Sequence, residues 1–292
     1  MDKILIVCGP TATGKTKFAL EIAKEFDGEL VSADSRQVYI GRNLIYGKDI
    51  PPKLKSQRSK VKWKDRRFRF YEIEGIKIWL YDIVEQGEEF SVALWRECAQ
   101  LVIEDILSRG KLPIIVGGTG LYIKSLTTNL TDIAASRNMT LRKELADKNV
   151  EFLWNYLHQI KPTYLNSSDR KNPRRLIRAI EIALSNSRTY NLEPITYSFL
   201  QIGLTASQPE LFRRVEKRID QRITAGATEE DPILSASPNL WKHQEQKIVR
   251  QQLTWFKKQL NINWYDITDK NWQKRAEELI QKWYNTFDAA QS

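Results

Sequence analysis

Gly9-Pro-Thr-Ala-Thr-Gly14-Lys15-Thr16 fits the pattern GxxxxGK[ST]. The apolar, β-branched run Lys3–Cys8 precedes it, and Phe18, Ala19, Ile22 and Ala23 follow at helical spacing. Strand, glycine turn and helix form the setting in which this pattern binds phosphate. Gly9 and Gly14 let the backbone curl so that N–H groups across Thr11, Ala12 and Thr13 face phosphate oxygens. The helix N-terminus adds a favourable dipole. Lys15 can reach a terminal phosphate and Thr16 can ligate Mg²⁺. The expected ligand is a diphosphate or triphosphate. The motif alone leaves two fates open: phosphoryl transfer, or departure of diphosphate as a leaving group.

Two further segments carry groups that could act on such a ligand. Ser32-Ala-Asp34-Ser35-Arg36-Gln37-Val38-Tyr39 follows a short strand-like run at Leu30–Ser32. Asp34 thus falls at the carboxyl end of a strand, where open α/β sheets place ligands. It could be a general base or a metal ligand, and it could equally cap a turn. Val116-Gly-Gly-Thr119-Gly-Leu-Tyr122 ends the apolar run Leu112–Val116. Its glycines allow close backbone approach, and Thr119 can donate a hydrogen bond.

The elements that must position these groups alternate. Strands are expected at 3–8, 30–32, 76–81, 112–116, 195–204 and 263–266. Helices are expected at 16–26, 90–107, 174–184, 209–224, 241–260 and 271–287. Near-continuous apolar strands alternating with amphipathic helices predict an α/β fold: a P-loop-type parallel sheet with helices on both faces. Between 125 and 168 the strand signal vanishes, which predicts a small helical insert. The core then comprises 1–124 and 169–292.

The chain has 292 residues, 41% of them hydrophobic, and a net charge of +10. That supports a real core and excludes a disordered chain. No apolar run approaches the roughly 20 residues of a membrane span. The expectation is a soluble cytoplasmic protein. Cys8 and Cys98 are the only cysteines. A disulfide framework or zinc site is not expected, and Cys8 should be a buried thiol. The positive charge suits either a polyanionic partner or a basic solvated surface. Lys53–Phe70 holds nine basic residues against Asp65 alone, with Trp63, Phe68 and Phe70 interleaved. It reads either as a nucleic-acid surface offering cations and stacking rings or as a solvated loop.

Taken together, GPTATGKT, SADSRQVY and VGGTGLYIKSL closely resemble the tRNA dimethylallyltransferase (tRNA isopentenyl transferase) family. Asp82-Ile-Val with Glu89-Phe-Ser-Val92, Asn172–Glu181, Arg214-Val-Glu-Lys-Arg218 and Gln252-Leu-Thr-Trp-Phe256 extend the likeness over residues 3–266. The resemblance implies transfer of a dimethylallyl group from dimethylallyl diphosphate to N6 of an adenosine beside the anticodon, with Mg²⁺. It implies Asp34 as general base, with Lys15 and Thr119 as further catalytic residues and Thr16 on the metal. Arg214 and Arg218 are the candidates for further diphosphate contacts. It implies tRNA contacts from Ser35, Gln37 and Tyr39, from Arg174, Arg175 and Arg178, and from Trp255 and Lys257. The insert would also touch the anticodon stem-loop. The expected assembly is a monomer.

The sequence departs from the family pattern at three places. Ile45-Tyr46 stand where a Gly-Thr pair is usual. Asp231–Leu240 replaces a longer stretch with a Gly-Tyr-(Lys/Arg)-Glu motif, and Gln246 stands where an arginine is common. Two alternatives follow: an adenylate isopentenyltransferase acting on a free nucleotide, or a catalytically impaired member that still binds tRNA.

Overall fold

Lys3–Cys8 forms β1, the strand that feeds the glycine-rich turn, and Lys15–Glu25 forms α1 behind it. The computed structural model describes residues 2–51, 53–128, 138–161, 167–185 and 197–286. After α1 come β2 (Gly28–Ser32), α2 (Asn43–Tyr46), β3 (Gln57–Trp63), β4 (Arg66–Ile73) and β5 (Ile76–Trp79). They are followed by α3 (Val92–Ser108), β6 (Leu112–Gly117) and α4 (Gly120–Thr127). Helices α5 (Met139–Leu145), α6 (Val150–Ile160), α7 (Ser167–Arg170) and α8 (Pro173–Leu184) follow. The chain then returns through β7 (Ser198–Thr205), α9 (Gln208–Thr224), α10 (Ala227–Glu230) and α11 (Pro232–Ser235). It ends with α12 (Pro238–Phe256), β8 (Asn263–Asp266) and α13 (Trp272–Asn285). The first two residues of the strand expected at 195–204, and residue 287 of the last expected helix, lie outside the described residues.

The eight strands form one sheet in the order β3-β4-β5-β2-β6-β1-β7-β8. Pairing is parallel from β5 to β8, and β4 is antiparallel to both β3 and β5. The α/β class expected from the sequence holds, with an antiparallel hairpin added at one edge. Ile4, Leu5, Ile6 and Val7 of β1 are fully buried. Alternate residues serve opposite faces: Leu5 and Val7 join Phe18, Ile22, Ile219 and Trp241, whereas Ile4 and Ile6 join Trp95, Val102, Ile103 and Tyr122. A strand covered on both sides needs apolar residues at every position, hence the unbroken run.

Lys53–Phe70 corrects one expectation. From Gln57 onward it is not a loop but the β3–β4 hairpin, and its rings are not free to stack on bases. Trp63, Phe68 and Phe70 are buried in the same cluster as Trp79, Trp95 and Phe90. The alternation of cation and ring is the period-2 pattern of a strand with one face in the core.

The chain divides into two units, residues 1–127 with 196–292, and residues 128–195. The second extends past the expected insert of 125–168 and takes in α8, which the sequence reading placed in the core. Some of its residues lie outside the described set. The physical reason is packing: Leu176 and Ile180 of α8 bury against Leu145, Leu153 and Leu157. Asn138, Asn149 and Asn172 each cap a helix N-terminus there. Buried Glu181 accepts hydrogen bonds from Arg142 at 2.6 Å and from the Asn138 N–H at 2.9 Å.

Candidate active site

The register of the parallel strands brings the three motif segments side by side. Cys8 of β1 lies opposite Gly117 of β6, and Ser32 of β2 opposite Val116. The turns that leave these strands therefore open at one edge. They are stitched together there: Ala33 N–H donates to Val116 O at 2.8 Å and Thr119 N–H to Ala33 O at 3.1 Å. Gly9 adopts φ +134°, and a Cβ on it would lie 2.1 Å from Leu204 O of β7. No side chain fits at that point, so the glycine is dictated by the neighbouring strand as well as by the turn.

A polar pocket opens at this edge. Thr11, Lys15, Thr16, Asp34, Gln37 and Arg218 line it, all anticipated from sequence. Arg36, Tyr46, Tyr81, Arg222 and Gln252 line it too and were not anticipated. Lys15 Nζ donates to Pro10 O at 2.6 Å, and Thr13 Oγ1 to the same oxygen at 3.0 Å. Ala12 is left-handed at φ 65°, as is Gly14 at φ 84°. Burial, and then the Arg218 guanidinium, push the Lys15 ammonium down to about 8. Burial alone raises the neighbouring Cys8 thiol to about 12, against the pull of Lys15, so Cys8 is the inert core thiol expected.

Asp34 stands at the end of β2 with one oxygen accepting the Arg36 N–H at 2.9 Å. Among the described residues its other oxygen accepts no hydrogen bond. The turn cap thus uses one carboxylate oxygen and leaves the other available. Thr119 does not line the pocket. Its Oγ1 accepts the Ser35 N–H at 2.9 Å and lies 3.3 Å from Ser35 Oγ. It fixes the turn that carries Asp34. Gln37 is likewise committed: Ser32 Oγ donates to its Oε1 and its Nε2 donates to Gly47 O, both at 2.8 Å. Ser35 is exposed, while the Tyr39 ring packs on the sheet's second core cluster.

Of the two candidate arginines, Arg218 enters the pocket. It reaches Thr11 Oγ1 at 3.5 Å and Gly47 O at 3.4 Å, and pairs with Asp49. Arg214 instead donates to Glu210 at 2.8 Å on its own helix and lies outside the pocket. One turn beyond Arg218, buried Arg222 faces the same Asp49 at 3.8 Å. Burial, and then Arg218, lower its guanidinium to about 10. The i, i+4 spacing of Arg218 and Arg222 was the available signal for this second cation. Arg36 pairs with buried Glu245 of α12. Burial works against its charge, but Glu245 and Asp34 outweigh that and hold it above its ordinary range.

Gln252, within the Gln252–Phe256 motif, links two segments. Thr11 N–H donates to its Oε1 at 2.9 Å, and its Nε2 donates to Gly118 O at 3.1 Å. Gln252→Ala frees one turn from the other at the phosphate cradle. The expected result is an approximately tenfold higher Kd for inorganic diphosphate by calorimetry, about the worth of one hydrogen bond. An unchanged Kd would remove Gln252 from the cradle.

The remaining RNA candidates scatter. Trp255 packs its indole over Gly120, where an added Cβ would lie 1.9 Å from Nε1; that buried N–H has no partner among the described residues. Lys257 is exposed. In the helical unit, Arg174 is exposed, Arg175 pairs with Asp169, and Arg178 donates to Glu181 at 3.2 Å. The departures from the family pattern fold into regular structure. Tyr46 lines the pocket, Glu230 accepts the N–H groups of Leu44 and Ile45 at 2.8 and 3.0 Å, and Gln246 donates to Glu216 at 2.9 Å.

Among the described residues no group of three or more His, Cys, Asp or Glu could hold a metal ion. The donors present are the Thr16 hydroxyl and the Asp34 carboxylate. That set suits Mg²⁺, which keeps waters and is shared with substrate phosphates rather than caged by protein.

Comparison with known proteins identifies relatives of the whole chain. A family model described as IPP transferase matches residues 67–239. A tRNA dimethylallyltransferase of Acetivibrio thermocellus is 32% identical over 98% of this chain and 99% of its own. One from Anoxybacillus flavithermus is 32% identical over 96% and 95%. The crystal structure of a tRNA isopentenylpyrophosphate transferase from Bacillus halodurans superposes with a TM-score of 0.61 at 29% identity, covering 96% of this chain and 94% of that one. A eukaryotic dimethylallyltransferase acting on tRNA shares the fold, with a TM-score of 0.74 at 22% identity over 97% of this chain and 80% of its own. With most of its length matched and its phosphate cradle, Asp34 turn and strand order in place, this chain belongs to the IPP transferase family.

Proposed function

We propose that this enzyme transfers a dimethylallyl group from dimethylallyl diphosphate to N6 of the adenosine adjacent to the anticodon of tRNA. The observation that carries the reading is the shared pocket of Lys15, Thr16, Asp34 and Arg218. A phosphate cradle and a carboxylate with a free oxygen face one space. In the reaction the allylic C–O bond breaks and diphosphate departs with the electron pair. The N6–C bond forms, and the N6 proton passes to Asp34. Lys15, Arg218 and the turn amides stabilise the charge that builds on the leaving group. Mg²⁺, when bound through Thr16, would supply further neutralisation of the diphosphate. The adenine must leave its stack to enter the pocket. Arg174 and the other cations of the helical unit serve the anticodon stem-loop, and the enzyme acts as a cytoplasmic monomer. The names of its relatives as tRNA dimethylallyltransferases support the substrate assignment.

The test is a transfer assay with radiolabelled dimethylallyl diphosphate and Mg²⁺, offering unmodified tRNA, AMP and ATP as acceptors. Label in tRNA alone is expected. Label in the free nucleotide would move the protein to the adenylate isopentenyltransferases. Label in neither, with tRNA bound, would make it an impaired binder.

A further inference from the structure

We infer that the exposed face of the β3–β4 hairpin is a phosphate-binding ribbon for the backbone of the RNA substrate. The inference rests on the proposal that tRNA is that substrate. Along β3, Arg58, Lys60 and Lys62 point outward while Ser59 and Trp63 are buried; along β4, Arg67 and Arg69 point outward while Phe68 and Phe70 are buried. The register sets Arg58 opposite Arg69 and Lys62 opposite Arg67. Like charges directly across a ladder destabilise it. Ordinary solvated faces intersperse both signs, yet among the described residues Arg58, Lys60, Lys62 and Arg67 have no ion-pair partner.

Protection of an open sheet edge does not account for this. Lysines on the edge strand β3 would discourage pairing with another chain. Arg67 and Arg69, however, stand on β4, which is paired on both sides. Position gives the face a purpose. Arg58, Arg67 and Arg69, with Arg66 paired to Glu88, line a groove beside Ile40 and Tyr81; Asp65, Asp82 and Glu85 line it too, and the four arginines outnumber them. Ile40 directly follows the Asp34–Tyr39 turn. A polyanion lying in the groove therefore reaches the segment that directly follows that turn. Arg58 to Lys62 spans about 13 Å at strand rise, a length over which a nucleic-acid duplex presents several phosphates. Because the rings of the hairpin are buried, the ribbon offers charge without stacking. It grips RNA irrespective of sequence and sets position, not base choice.

The test combines Arg58→Gln, Lys62→Gln and Arg67→Gln in the full chain. A control removes three exposed lysines of the opposite end of the sequence, Lys270, Lys274 and Lys282. The KM for tRNA in the transfer assay is expected to rise tenfold or more, and the slope of log K against log salt to fall by about 2–3. The KM for dimethylallyl diphosphate should stay unchanged, and the melting temperature should hold or rise as the like-charge pairs are relieved. The control should leave the tRNA KM and salt slope within twofold and half a unit. Equal effects from the two triples, or an unaltered tRNA KM in the hairpin triple, would overturn the inference while leaving the transfer activity standing. Hairpin-dependent binding of tRNA without label transfer would do the reverse. Hairpin-dependent binding of phosphatidylserine vesicles with none of tRNA would also overturn it, assigning the face to a membrane.

Discussion

Asp34→Ala is expected to lower the rate of dimethylallyl transfer about a thousandfold, the range a positioned general base contributes, with tRNA affinity unchanged within twofold. The exocyclic amine of adenine is a weak nucleophile, so the developing ammonium must shed its proton as the new bond forms. Asp34 has one oxygen committed to the Arg36 N–H and one free in the pocket. This arrangement predicts the outcome of a second variant. Asp34→Asn keeps an oxygen for the Arg36 N–H and so keeps the turn, but it cannot accept the N6 proton. It should lose as much activity as Asp34→Ala. If Asp34→Asn were near wild type while Asp34→Ala was dead, Asp34 would be a turn cap and the base would lie elsewhere. Single-turnover transfer with preloaded tRNA separates this from any change in RNA binding.

Lys15→Ala should cost about 10²–10³ in kcat, as expected when one donor to developing charge is removed from a pre-set site. The pH dependence carries more information. Lys15 titrates at about 8 in the free protein because burial, and then Arg218, disfavour its charge. Below that pH the ammonium is charged and attracts diphosphate; above it the attraction fades. The kcat/KM for dimethylallyl diphosphate should therefore be level up to about pH 7.5 and fall on the alkaline side. At saturating diphosphate the bound anion favours the ammonium, so the fall in kcat moves to higher pH. In Lys15→Arg the guanidinium stays charged throughout, and the alkaline limb should vanish even though absolute activity drops. An alkaline limb unchanged in Lys15→Arg would assign it to another group.

The core of the site was legible from sequence because its chemistry constrains spacing. A phosphate cradle needs its glycines and its Lys-Thr pair at fixed intervals on a strand–turn–helix, and Gly9–Thr16 shows them. Asp34 was legible from its place after a strand. What escaped notice belongs to long-range partners. Arg36 lay inside a quoted motif, but its counter-ion Glu245 is 209 residues away and has no local signature. Thr119 was seen as a motif residue, and only the fold shows its hydroxyl turned to Ser35. Arg214 and Arg218 differ by one helical turn, and Glu210 sequesters the first. The strands of the hairpin are hidden for a different reason. Its cations dominate composition, and charge density masks the period-2 burial of Ser59 and Trp63 on β3 and of Phe68 and Phe70 on β4 that marks strands. Helix α8 has a strong amphipathic pattern, but a pattern does not say which core the apolar side will meet.

The strand order also governs how the molecule can be made. β1 sits between β6 and β7, so neither of its partners exists until residues 112–117 and 198–205 have been synthesised. At ribosomal speeds of about 5–20 residues per second, Lys3–Cys8 waits roughly 10–40 s for its second neighbour. The β3–β4–β5 meander, whose partners adjoin in sequence, can pair as soon as it emerges. The phosphate cradle, which hangs on β1, is thus among the last features to form. Throughout translation the most apolar strand of the sheet is the one left longest without cover, which makes the nascent chain a natural client for chaperones that hold extended hydrophobic segments.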